Sequence, residues 1–144
     1  MGADRNAFRT LGEHYIVGDV GYLQGGNLHI LGRTSDIIIT AGNNVYPHQV
    51  ELAPSSVPGV ENAVAVGMPD DLFGSRVVAG IVPSYGGLSA TALGSALEDV
   101  LTASASPAKY YVLGELPLTD RGKISRPILA DWIKNNDPRV RPLT

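Results

Sequence analysis

The chain contains no cysteine. That excludes disulfides, a thiolate nucleophile and zinc–thiolate sites. Its three histidines, His14, His29 and His48, lie far apart without ligand spacing, which argues against a histidine-based metal site. Long apolar runs are missing as well. The longest, residues 77–82, stops at Pro83, far short of the roughly 20 residues a membrane helix needs. The opening stretch, Met1-Gly2-Ala3-Asp4-Arg5-Asn6, has no apolar signal region, and Asn6 breaks the myristoylation pattern. Positive charge is in deficit: 11 Lys and Arg against 14 Asp and Glu leave a net charge of −3. A nucleic-acid partner held through phosphate contacts is therefore not expected. These absences point to a cytoplasmic, metal-free domain.

What is present is an ordinary globular mixture, 44% apolar and 17% charged, with 17 glycines and 10 prolines in 144 residues. The glycine and proline content predicts a loop-rich folded chain, one small domain or one domain with a piece of another. Residues 1–13 are polar and patternless, and read as an extension. Gln24-Gly25-Gly26-Asn27 between two apolar stretches is a hairpin signal, since glycine accepts the positive φ of primed turns. Ile37-Ile38-Ile39 is a β-branched strand signal, followed by the turn Ala41-Gly42-Asn43-Asn44. Pro47 suits the first turn of a helix over about residues 48–53, ending or kinking near Pro54. Val60, Val64 and Val66 mark one strand, and residues 77–82 a second, buried on both faces. Leu93, Leu97, Val100 and Leu101 have helical spacing, and residues 110–113 read as a further strand. Ser125 is placed to cap a last helix with Pro127 in its first turn and Ile128, Leu129, Trp132 and Ile133 on its apolar face. The expected fold is α+β: a three-stranded sheet packed by helices, plus a β-hairpin.

Three constellations lie in turns between these elements. Gly18-Asp19 presents a carboxylate able to accept two hydroxyl hydrogens from a diol such as ribose, or simply to bond its own backbone. Gly32-Arg33-Thr34-Ser35-Asp36 leads to Gly42-Asn43-Asn44-Val45-Tyr46-Pro47 and Glu51. There Arg33 offers a planar donor fork for hydroxyl or phosphate, or a surface pair with Asp36. The turn at residues 42–44 offers backbone donors to a ligand channel. Pro117-Leu118-Thr119-Asp120-Arg121-Gly122-Lys123-Ile124-Ser125-Arg126 is not a P-loop, because Pro117 stands where the first glycine belongs and Ile124 follows Lys123. Lys123 sits instead in a glycine-containing turn, as a point charge for a substrate anion or as a solvated lysine.

Taken together and in order, these segments resemble the C-terminal portion of the adenylate-forming enzymes. That superfamily includes acyl-CoA synthetases, peptide-synthetase adenylation domains and beetle luciferases. The resemblance runs from about residue 14 to 129. Val17-Gly18-Asp19 resembles the family's Thr-Gly-Asp, whose Asp binds the ATP ribose. Gly32-Arg33 through Glu51 resembles its core motif, whose Arg also contacts the nucleotide. Met68-Pro69-Asp70 with Gly74 is similar to its Pro-Asp…Gly segment. Pro117-Leu118-Thr119 to Gly122-Lys123 and Arg126 resembles its terminal motif, whose Lys is the adenylation lysine. Residues 42–47 look most like those of an acyl-CoA synthetase.

The resemblance implies two domains: residues 1–34 as the last strands of a large N-terminal AMP-binding domain, and residues 35–144 as the mobile C-terminal domain. It implies Lys123 as the catalytic residue, Asp19 and Arg33 as ATP- and AMP-binding, and Ser35 at the hinge, where the family usually has Asp or Lys. Gly42, Asn43, Asn44 and Tyr46 would line the CoA channel. Other departures are Gln49 and Ser75, where Glu is common, and Pro54 inside the first helix of the domain. ATP, Mg2+ and CoA are implied as substrates of a complete enzyme, with none bound by this chain alone. The phosphate loop, adenine pocket and acyl pocket belong to the missing N-terminal domain, so the chain by itself is expected to be inert. The alternatives are an adenylation domain charging a carrier protein, and a stand-alone, non-catalytic regulatory module.

Overall fold

The computed structural model describes residues 13–16, 19–84 and 88–144. Residues 1–12 of the expected extension, and Val17 and Gly18 of the Gly-Asp turn, lie outside the described residues, while Glu13, expected in the extension, begins a strand. The chain divides into two compact units, Met1–Ile37 and Ile38–Thr144. The expected boundary after residue 34 falls three residues earlier.

The first unit is an antiparallel sheet of β1 (Glu13–Ile16), β2 (Asp19–Gln24) and β3 (Asn27–Arg33), in that order. Gly25 and Gly26 both take positive φ, so β2 and β3 are joined by the two-residue turn the Gly-Gly pair predicts. A single 3-10 turn, Thr34–Asp36, follows β3.

The second unit begins with a small hairpin, β4 (Ile38–Thr40) and β5 (Asn43–Val45), leading into α1 (Pro47–Ser55). Pro47 occupies the first turn, and Pro54 stands one residue before the helix ends. The hydroxyls of Ser55 and Ser56 donate to the carbonyls of Glu51 and Ala53, at 2.8 and 2.7 Å. They satisfy acceptors that the ending helix leaves open.

The central sheet contains β6 (Val60–Asp70), β7 (Gly74–Pro83), β8 (Lys109–Leu113) and β9 (Val140–Pro142), in that order. The β6–β7 and β8–β9 pairs are antiparallel. The β7–β8 pair is parallel, its crossover carrying α2 (Ala90–Leu97). The expected mixed α and β architecture therefore forms, and its sheet gains a fourth strand beyond the three expected. Side chains alternate across β6 and β7 and feed three buried clusters, one of which joins Ala65 and Val77 to Ile38, Val45 and Val50. Ala63, Ala79 and Ile81 meet Ala53 of α1 and Leu93 and Leu97 of α2. Val64, Val66 and Val78 meet Leu129 and Trp132 of α3 (Arg126–Lys134). Burial on both faces explains why residues 77–82 read as a continuous apolar run rather than an alternation.

Two helix ends show how local chemistry sets boundaries. Ser125 caps α3, its hydroxyl accepting from the Ile128 amide as expected. Ser89 caps α2 in the same way, accepting from Ala92. The helical spacing of Leu93, Leu97, Val100 and Leu101 overruns, however: α2 stops at Leu97, and Val100 is 63% exposed. Glu98 and Asp99 follow at the negative end of the helix dipole, where carboxylates oppose continuation.

The added strand depends on a charge clamp after α3. The Asp137 carboxylate accepts from the Arg139 backbone amide and from Arg139 Nε and Nη2, at 2.8–2.9 Å. The Arg139 guanidinium also lies over the Trp132 ring, 4.4 Å from its centroid. The chain is thereby turned back so that Leu113 pairs with Val140. Among the described residues, no helix is long and apolar enough to cross a membrane.

The hydrogen bonds from Arg139 hold the Asp137 carboxyl down at about 2. A depressed native value stabilises the fold above the unfolded-state value of about 4, and that contribution is lost as pH falls through about 2. Asp137→Asn should therefore lower the melting temperature at neutral pH. The gap from the unsubstituted chain should close between pH 4 and pH 2 in thermal melts followed by circular dichroism.

Candidate functional site

In the first unit, the antiparallel register sets Asp19 of β2 directly opposite Arg33 of β3. Residues 14 apart in the chain, both singled out for a nucleotide, thus meet at one rung of the sheet. The pairing shifts register between Val20 and Gly21, next to that rung. Arg33 is exposed, and its backbone is extended, at φ −88° and ψ 144°, as the chain enters the 3-10 turn. Ser35 lies in the middle of that exposed turn, which is closed by a 3.4 Å bond from the Ile37 amide to the Thr34 carbonyl.

In the second unit, Lys123 is exposed on a tight hairpin rather than in an open loop. The Thr119 amide donates to the Lys123 carbonyl at 2.8 Å, and the Lys123 amide donates to Thr119 Oγ1 at 3.2 Å. Leu118 and Ile124 pair as an antiparallel bridge, and the Ser125 amide donates to the Pro117 carbonyl at 2.8 Å. Gly122 takes φ +80° and donates to the Thr119 carbonyl at 2.9 Å. Glycine adopts that left-handed conformation most readily, so the Gly-Lys order has a backbone reason. The turn itself is Asp120-Arg121; Lys123 follows Gly122 on the returning arm, paired with Thr119, and the arm runs directly into the Ser125 cap of α3.

Residues 42–46 form the other half of the candidate site. Thr40 pairs with Asn43, so Ala41 and Gly42 are the two central residues of the β4–β5 turn. Both have positive φ, +51° and +82°, as a type I′ turn requires. The Ala41 amide is not offered to solvent: it donates to the Phe73 carbonyl at 2.9 Å. Asn43 Nδ2 donates to Ser104 Oγ at 3.0 Å, Asn44 is exposed, and Tyr46 is half-buried at the start of α1. Beside this turn lies an open cavity of about 800 Å³. Asn43, Asn44, Tyr46 and Gln49 line it together with apolar Leu52 and Val100. Among the described residues, no group of three His, Asp or Glu is placed to hold a metal ion.

Lys123 and the 42–46 turn are tied to one strand by a contact the sequence reading did not anticipate. Arg126 Nη2 donates to Glu51 Oε2 at 2.6 Å, and Arg126 Nε to the Ala65 carbonyl at 3.0 Å. The Ala65 amide donates to the same Glu51 oxygen at 2.9 Å. Arg126 and Glu51 are only 19% and 13% exposed. Low exposure strengthens the pair but makes it costly to leave either partner alone. Both residues stand in motifs noted above. Their opposite charges were the only signal, at a separation of 75 residues.

Residues 49–123 match the family model of the AMP-binding enzyme C-terminal domain. The chain belongs to that family. An uncharacterized acyl-CoA ligase of Bacillus subtilis, YhfT, is 33% identical over 128 residues, covering 88% of this chain and 26% of the relative. ATP-bound MatB from Rhodopseudomonas palustris superimposes with a TM-score of 0.77 at 31% identity, over 92% of this chain and 27% of that one. The o-succinylbenzoate CoA synthetase of Bacillus subtilis, in complex with its acyl-adenylate intermediate, gives 0.74 at 36% identity, over 78% and 23%. The AMP-binding C-terminal domain chain thus spans about a quarter of the length of the curated relatives it matches.

Glu51→Ala removes the acceptor of Arg126 and of the Ala65 amide together. In this domain it should cost about 3 kcal/mol, the scale of breaking a buried pair. Urea unfolding curves should shift to a lower midpoint with an unchanged slope.

Proposed function

We propose that this chain is the C-terminal part of an ATP-dependent acyl-CoA synthetase and acts with an N-terminal adenylate-forming domain. The observation that carries the reading is Lys123, an exposed cation on the returning arm of a closed hairpin in a domain of the AMP-binding family. The relatives named as acyl-CoA ligase and CoA synthetase supply the reaction class.

In the first step a carboxylate oxygen attacks the α-phosphorus of MgATP and pyrophosphate leaves, giving an acyl-adenylate. Two anions must approach, so positioning and charge neutralisation dominate the barrier. Lys123 neutralises charge shared by the attacking carboxylate and the α-phosphate. Asp19 and Arg33 hold the nucleotide, the former on the ribose hydroxyls. In the second step the CoA thiol attacks the acyl carbon, AMP leaves with the bonding pair, and a thioester forms. Gly42, Asn43, Asn44 and Tyr46 line the channel for the pantetheine arm, whose amides suit the amide and hydroxyl groups there. Ser35, in its single 3-10 turn, is the pivot on which the domain exchanges the two faces between steps. On this reading residues 1–34 complete the N-terminal domain, residues 35–144 move, and the enzyme works in the cytoplasm, where ATP and CoA are available. The isolated chain is inert, because the acyl and adenine pockets belong to its partner domain.

Lys123→Ala in the complete enzyme should lower carboxylate-dependent pyrophosphate release by about 100-fold or more. Its melting temperature should not change, because the side chain is exposed. Unaltered adenylation by a folded variant overturns the assignment and favours a non-catalytic module. Offering free CoA and a pantetheinylated carrier protein as rival acceptors separates an acyl-CoA synthetase from an adenylation domain that charges a carrier.

A further inference from the structure

The Pro69-Asp70…Gly74 segment has no part in the reading above, yet the fold connects it to the 42–46 turn. Asp70 ends β6, and its Oδ1 accepts from the amides of Leu72 and Phe73, at 2.9 and 2.8 Å. These bonds close the turn between β6 and β7 and set the direction of the Phe73 carbonyl. That carbonyl accepts the Ala41 amide at 2.9 Å. Ala41 is one of two non-glycine residues with positive φ among those described, at +51°. A left-handed alanine is strained and persists only where its surroundings hold it. The Phe73 side chain is fixed as well, with the Arg76 guanidinium 4.7 Å from its ring centroid.

We propose that Asp70 is a positioning residue for the thiol-transfer step, acting through Phe73 and Ala41 to hold the 42–46 turn in its channel-lining shape. The inference rests on the reading that this turn lines the thiol channel. The bonds that anchor the helix after the Lys123 hairpin, among Arg126, Glu51 and Ala65, involve neither Asp70 nor Phe73 nor Ala41. Asp70 therefore acts on one half-reaction and not on the other.

The test compares Asp70→Ala with Asp70→Asn in the complete enzyme. The asparagine amide oxygen accepts the same two backbone hydrogens, whereas alanine accepts neither. In Asp70→Ala, thioester formation from preformed acyl-adenylate should fall by about tenfold or more, with a raised KM for CoA. Adenylation, read as pyrophosphate release without thiol, should stay near the unsubstituted rate, and Asp70→Asn should recover most of the loss. Hydrogen exchange supplies a readout independent of turnover. The Ala41 amide should exchange faster in Asp70→Ala while the amides of β7 keep their protection. Equal losses in both half-reactions, no loss in either, no rescue by asparagine, or unchanged exchange at Ala41 each overturn the proposal. Failure of the underlying reading looks different: Asn44→Trp, at an exposed residue of the turn, then leaves the KM for CoA unchanged, whatever Asp70→Ala does.

Discussion

The antiparallel ribbon of β6 and β7 is the constraint on which the second unit depends. Its residues are buried on both faces, so the two strands cannot slip without exchanging which side chains enter which core. Everything with chemical potential in this unit hangs from that ribbon. Mid-strand, Ala65 receives Glu51 and Arg126, anchoring the helix after the 42–46 turn and the helix after the Lys123 hairpin. At the strand end, Asp70 shapes the turn that reaches back to Ala41. One double-faced sheet thus anchors both the helix after the 42–46 turn and the helix after the Lys123 hairpin.

Two cations three residues apart occupy opposite settings. Arg126 is sequestered at the start of α3, where its planar fork bonds a carboxylate and a backbone carbonyl at once. Lys123 stands on the exposed hairpin, a compact charge on a flexible stem. An ammonium in place of Arg126 would have no fixed fork for the clamp.

The features legible in the sequence were those with local causes. The Gly25-Gly26 turn, the Ser125 cap and the place of Pro47 each follow from the preferences of a few adjacent residues. The doubly buried character of residues 77–82 was legible from composition alone. Where local pattern and context competed, context prevailed. Val100 has the right spacing for the apolar face of α2, but two carboxylates precede it and the helix ends first. β9 escaped notice because three residues carry little pattern. What makes it a strand is the Asp137–Arg139 clamp that returns the chain.

The motifs themselves, and therefore the candidate residues Asp19, Arg33 and Lys123 and the family they point to, were determined by the sequence, because residue type and order are its content. Tertiary structure decided which of them meet. Asp19 and Arg33 became opposite partners through strand register, and Glu51 found Arg126 across 75 residues. A left-handed alanine became tolerable because a carbonyl from a distant turn takes its amide. Pairings of this kind leave no periodic trace along a chain, since their energy arises only when a folded core brings the partners together and excludes water from between them.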